Sequence, residues 1–170
     1  MFCETLPEHK VGYLQDLCNR WGDFRVTYTY KLRDGSKGFC SWRGVLDCWH
    51  SDEGLRFLSR VDNREILPCE IVLDVDEIIS EEYLNWICDS IEEYSFQYKA
   101  YFTGSKGFHI HIYVRELAFH SRYERENIRT FLIKKFGCDG MKKSDKCMIA
   151  MEDCPHWKTG RKKTMVRASA

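Results

Sequence analysis

Apolar and polar residues along this chain repeat with two periods, and the switches between them mark its elements. Val11, Leu14, Leu17, Cys18 and Trp21 recur at helical spacing, which predicts a helix over residues 7–21. Phe24-Arg25-Val26-Thr27-Tyr28-Thr29-Tyr30 alternates residue by residue and predicts a strand. From Lys31 to Gly44 neither period holds, and the segment reads as irregular around the turn Asp34-Gly35-Ser36-Lys37-Gly38. Ser51 is placed to cap a short helix through Leu58, and Asp62-Asn63-Arg64-Glu65 reads as a loop.

The second half is more strongly patterned. Ile71, Val72, Leu73 and Val75 predict a buried strand over Glu70–Asp76. Ser80-Glu81-Glu82 then opens a helix to about Tyr94, with Leu84, Ile87, Cys88 and Ile91 inward and acidic residues in its first turn. Lys99 to Phe102 is a short strand, Gly104-Ser105-Lys106-Gly107 a tight turn, and Phe108 to Val114 an alternating strand. His120 to Phe136 reads as a helix that turns Tyr123, Ile128, Phe131, Leu132 and Phe136 to the core. Arg122, Arg125, Arg129, Lys134 and Lys135 are expected on its solvated face. Lys146 to Ala150 is the last expected strand. Helices intermixed with hairpins predict an α+β class with a mixed or antiparallel sheet, and the length predicts a single domain, residues 1–170.

Two stretches carry candidate chemistry. Asp74 and Asp76 lie two apart on a strand, so both carboxylates face the same side. Such a pair repels itself unless a cation sits between, and hard Mg²⁺ or Mn²⁺ takes such oxygens together with substrate phosphates. In Gly104-Ser105-Lys106-Gly107, the glycines let backbone N–H groups approach an anion, and Lys106 adds charge. His109 and His111 share a face of the following strand. An acidic strand followed by a phosphate-cradling hairpin is what handling a metal-bound triphosphate requires.

Composition narrows this only slightly. The 26 basic and 26 acidic residues cancel, so general polyanion binding is not the theme, although local basic patches could still bind nucleic acid. With no run of 18 apolar residues and a polar start, an intracellular protein off the membrane is expected. Nine cysteines without a secretory signal favour free thiols over a disulfide framework. Cys40, Cys48 and His50, and separately Cys138, Cys147, Cys154 and His156, are loose candidates for structural zinc, but neither group contains C-x₂-C.

Taken together, these residues resemble the catalytic core of the archaeo-eukaryotic primase superfamily, which includes primase small subunits, primase-polymerases and the polymerase domain of bacterial end-joining ligases. Ile71-Val72-Leu73-Asp74-Val75-Asp76 is similar to its first motif, and Gly104-Ser105-Lys106-Gly107-Phe108-His109 to its second. His156-Trp157-Lys158-Thr159-Gly160-Arg161 resembles the H-x-K-T-G-R that follows the third. The resemblance spans Ile71 to Arg161 and leaves the first seventy residues unmatched. It implies a half like an RNA-recognition motif, carrying the acidic strand, packed on an N-terminal α/β half. It further implies a template-dependent nucleotidyltransferase in which two Mg²⁺ or Mn²⁺ ions are held by Asp74, Asp76 and a third acid. Counting back from His156 favours Asp139 for that acid, with Asp145, Glu152 and Asp153 as competitors. His109 would meet the phosphates of the incoming nucleoside triphosphate, helped by Ser105 and Lys106. Lys158, Arg161 and Lys163 would meet phosphates of a single-stranded or primed DNA template, and a large primase subunit or a helicase would be a natural partner.

Two other classes compete. A replication-initiator nicking endonuclease would bind a metal through His109 and His111 and attack DNA with Tyr123, but it leaves both aspartates and the glycine turn unexplained. A non-catalytic primase accessory subunit would bind single strands without needing Asp74, Asp76 and His109.

Overall fold

Alternation is realised as paired strands, and the helical stripes as helices laid against them. The computed structural model describes residues 7–75 and 81–170. Asp76 and the expected cap Ser80 lie outside the described residues. Chain contacts divide the protein into two compact units, Met1–Glu65 and Ile66–Ala170. The architecture is α+β with antiparallel sheets, as expected.

The first unit contains α1 (Pro7–Trp21), β1 (Val26–Lys31), β2 (Lys37–Trp42), α2 (Val45–Cys48), α3 (Asp52–Arg60) and β3 (Asn63–Glu65). β1 pairs antiparallel with both β2 and β3. Leu14, Leu17 and Cys18 of α1 are buried, as are Val45, Cys48 and Leu58. The Ser51 side chain accepts from the Gly54 N–H at 3.0 Å and caps α3, as its sequence position predicted. Two expectations give way. The segment read as irregular holds β2, in which Phe39 is exposed while the small Gly38 turns inward, so no apolar alternation announces it. Asn63-Arg64-Glu65, read as a loop, is a strand because β1 supplies its partners.

The second unit is built on one sheet with strand order β4 (Glu70–Val75), β6 (Phe108–Tyr113), β5 (Gln97–Phe102), β8 (Thr164–Ala168), all antiparallel. Its other elements are α4 (Glu81–Glu93), α5 (Arg122–Lys135) and the short strand β7 (Met148–Ala150). On one face Ile71, Leu73, Val75, Tyr98, Ala100, Ile110 and Ile112 pack against Leu84, Ile87, Cys88 and Ile91 of α4 and Ile133 of α5. Period-2 geometry turns Glu70, Val72, Asp74, His109, His111 and Tyr101 to the opposite face. One face of this sheet is therefore core, and the other holds the candidate site residues Asp74 and His109.

The phase of α5 differs from expectation. Its start is fixed by a capping box, in which Ser121 accepts from the Glu124 N–H (3.2 Å) while Glu124 accepts from the Ser121 N–H (2.7 Å). Tyr123 and Phe131, expected inward, are 76% and 66% exposed. Arg129, expected in solvent, is fully buried. Its guanidinium donates to the carbonyls of Glu70 (3.0 Å) and Leu67 (3.1 Å) and pairs with Asp145. It thus anchors the start of β4.

Candidate active site

The antiparallel register of β4 and β6 sets Asp74 directly opposite His109. Their side chains meet, with His109 Nε2 3.5 Å from Asp74 Oδ1. Asp74 keeps 13% of its side chain exposed. Burial raises its carboxyl, but the His109 hydrogen bond and the charges of His109, Lys142 and Lys163 outweigh this and leave it below the ordinary 3.8. Asp74 is thus an ionised oxygen donor at neutral pH. Burial, then the Lys163 charge, hold His109 down at about 4 against the opposing pull of Asp74. Its other ring nitrogen, Nδ1, is buried with no hydrogen-bond partner among the described residues, which in a folded interior calls for an explanation.

His111, the next residue on that face, has no such opening. Its side chain is fully buried, with Nδ1 2.5 Å from Glu70 Oε1 and Nε2 2.8 Å from Lys163 Nζ. Both nitrogens are taken, so His109 and His111 do not form a pair open to a metal. Lys163, expected on the surface as a nucleic-acid contact, is instead 1% exposed and also donates to the Ala150 carbonyl at 2.6 Å.

The glycine turn is held by a second hairpin. Thr103 N–H donates to Gly107 O (3.0 Å) to close the β5–β6 loop, leaving Lys106 exposed and Ser105 half-buried. Against it folds residues 153–163, joined by backbone bonds from Lys163 to Cys154 and from Asp153 to Lys163. His156 Nδ1 accepts from the backbone N–H groups of Lys158 (3.2 Å) and Thr159 (3.4 Å), so this histidine builds the turn of its own motif. Thr159 Oγ1 donates to Gly104 O at 2.6 Å, and the Arg161 guanidinium carbon lies 6.0 Å from the Phe102 ring centre. Lys158 and Arg161 are exposed beside the turn. Sequence reasoning placed this motif near phosphates but missed that it clamps the glycine turn.

Gly104 shows how close the two turns are. Its φ is +84°, and a Cβ there would stand 2.3 Å from the Arg161 carbonyl oxygen. Gly160, at φ +70°, has open space around it. Gly104→Ala is expected to lower unfolding free energy by roughly 2 kcal/mol or more, against about 1 kcal/mol for Gly160→Ala, where only backbone strain acts. Urea denaturation of the two variants checks the difference.

Of the described candidates for the third metal acid, Asp139 adjoins Asp74 in the backbone. Its N–H donates to the Asp74 carbonyl at 3.0 Å, while its own Oδ1 accepts from the Met141 N–H. Asp145 is instead engaged by Arg125, 2.5 Å away, and by Arg129. Asp153 is exposed in a left-handed turn, and Glu152 is half-buried. The ionised Asp74 carboxylate is a hard-oxygen donor of the kind Mg²⁺ or Mn²⁺ takes, and Asp139 adjoins it through the backbone. Lys142 Nζ stands 3.9 Å from Asp74 Oδ2 as a counter-charge. Among the described residues no three His, Cys, Asp or Glu side chains converge as a metal cluster, so neither zinc group assembles there. Every described cysteine is a free thiol. No described helix is long and apolar enough to cross a membrane.

No protein-family model and no curated protein matches the sequence. Among solved structures, the AEP (archaeo-eukaryotic primase) domain of the cyanophage S-2L primase-polymerase is similar, with TM-score 0.57 and 17% identity over 95% of this chain and 90% of that one. The fold is that of an AEP domain. A further match is the polymerase domain of Mycobacterium tuberculosis ligase D, solved in complex with DNA, at TM-score 0.48 and 13% identity over 95% of this chain and 75% of that one. Within the AEP fold as this chain builds it, Asp74 and His109 occupy adjoining strands on the face away from the helices.

The buried histidines give this fold a pH signature. Both His109 and His111 are held below the ordinary 6.5, chiefly by burial and then by Lys163. Below pH 6.5 the unfolded chain takes up protons that the folded chain refuses, so stability falls as pH drops toward about 4. Each such group contributes roughly 1.4 kcal/mol per pH unit inside its window. Urea midpoints at pH 7, 6 and 5 in chelator should decline steadily, and a flat profile would contradict this burial.

Proposed function

We propose that the chain is a template-dependent nucleotidyltransferase of the primase-polymerase kind, joining nucleotides with release of pyrophosphate. The observation that carries this reading is the pairing of Asp74 with His109 across the β4–β6 ladder, where His109 keeps a buried ring nitrogen that no group among the described residues satisfies. Asp74, Asp76 and Asp139 would hold two Mg²⁺ or Mn²⁺ ions. Such ions, when bound, acidify a 3′-hydroxyl and neutralise charge on the departing pyrophosphate. His109 would meet the phosphates of the incoming nucleoside triphosphate, and Ser105 and Lys106 would present the turn's backbone and charge to the same group. Lys158 and Arg161, exposed beside that turn, suit the phosphates of single-stranded or primed DNA. Lys163 drops out of that role because its ammonium is inside. A large primase subunit or a helicase would bring the template.

The nicking alternative needs two imidazoles on one metal, and both nitrogens of His111 are already bonded. One assay tests all three readings: Mn²⁺ or Mg²⁺, labelled nucleoside triphosphates and a primed or single-stranded template. Incorporation is expected, and Tyr123→Phe should leave its rate within about twofold, as for an exposed side chain away from the site. A covalent protein–DNA adduct lost in Tyr123→Phe would establish nicking instead. Binding without product would mark an accessory protein.

A further inference from the structure

Lys163 ends a buried chain of groups that joins three separated stretches of the second unit. Glu70 and His111 have fully buried side chains, and Lys163 is 1% exposed. The ammonium can only donate, so His111 Nε2 accepts from it and His111 Nδ1 carries the proton given to Glu70. One negative and one positive charge then flank a neutral imidazole, and the chain is neutral as a whole. Glu70 is fixed at its far end by the Leu67 N–H, which its Oε2 accepts at 3.0 Å. Lys163 is fixed by its bond to the Ala150 carbonyl. The chain thus ties the start of β4, the middle of β6 and the foot of the 153–163 hairpin.

Two neighbours show what it supports. Lys163 Nζ lies 5.1 Å from the centre of the Tyr101 ring, and Tyr101 is the cross-strand partner of His109. The rings of His109 and His111 are 6.3 Å apart. At the hairpin's other end, Thr159 and Arg161 meet Gly104 of the turn expected to cradle phosphate. A shift of Lys163 would therefore move both the floor beneath His109 and the clamp on that turn.

We infer that Lys163 is a positioning residue: through the Glu70–His111–Lys163 chain it sets the 153–163 hairpin against the Gly104–Gly107 turn and so shapes the site for an incoming nucleotide. The last step rests on the function proposed above, whereas the clamp does not. An apolar side chain of similar length in its place would leave the hairpin without its anchor while the α4–α5 core, on the other face, stays packed.

Amide hydrogen exchange tests the clamp without any activity. In Lys163→Met, protection should fall about tenfold or more at the Thr103, His156 and Gly160 amides and stay unchanged at Ile110 and Ile112 in the core strand. The double variant Glu70→Gln/Lys163→Met removes both charges together and should recover Tm without recovering protection in the two turns. Turn protection that returns with Tm in the double variant, or that never falls in the single one, overturns the inference. Should the single variant fail to fold, the double variant decides by the same criterion. In the incorporation assay the KM for nucleotide should rise about tenfold with kcat nearly constant, the pattern of lost uniform binding. A wild-type protein that incorporates nothing would sink the proposed activity, while the exchange experiment would still judge the clamp.

Discussion

Asp74→Asn is expected to reduce nucleotide incorporation by roughly a hundred- to a thousandfold, the usual scale for removing one preorganised electrostatic partner of the transition state. Asparagine keeps the shape and can still meet His109, but it surrenders the negative charge that would hold a divalent ion. The carboxyl sits below its ordinary range in the fold, so its charged form is what the surroundings favour. Losing that charge beside Lys142 and His109 should cost some stability, yet the variant should remain folded because Asp74 lies on the face away from the helix-covered core. The check is primer extension over a range of Mn²⁺ concentrations, with near-ultraviolet circular dichroism confirming the fold. Activity within about threefold of wild type would remove Asp74 from the chemistry.

The largest expected effect on stability comes from Arg129→Met. The guanidinium donates to the carbonyls of Glu70 and Leu67 and pairs with Asp145, all around a fully buried side chain. Methionine fills similar volume but leaves those acceptors without that donor and Asp145 with Arg125 as its remaining partner of the two. Breaking such a buried ion pair from one side costs roughly 3–5 kcal/mol. Arg122→Ala, on the exposed part of the same helix, should change stability by no more than about 0.5 kcal/mol. Urea unfolding of the two variants gives the comparison directly. Equal midpoints would mean that Arg129 is solvated after all.

These two residues also mark how far a linear reading reaches. Asp74 was legible because period-2 alternation says which face a strand residue takes, and a carboxylate inside an apolar run announces itself. Its register against His109 was not legible, since strand pairing is settled by residues thirty-five positions apart. Arg129 was misread because α5 has apolar residues on several sides, and its phase is set by an arginine reaching carbonyls at and just before the start of a distant strand. Lys163 was misread for a related reason. It stands in a basic run that looks solvated, and only the folded hairpin brings its ammonium to His111.

Short-range order was therefore the chain's own doing: the strand-forming runs, the caps at Ser51 and at Ser121 with Glu124, and the helical stripe of α4 follow from local sterics and backbone hydrogen bonding. The pairing of β4 with β6, the burial of Glu70, His111 and Lys163, and the docking of Thr159 on Gly104 were decided in three dimensions. Polar groups can enter an interior only when partners from elsewhere in the chain meet them there, and no local pattern records where those partners will be.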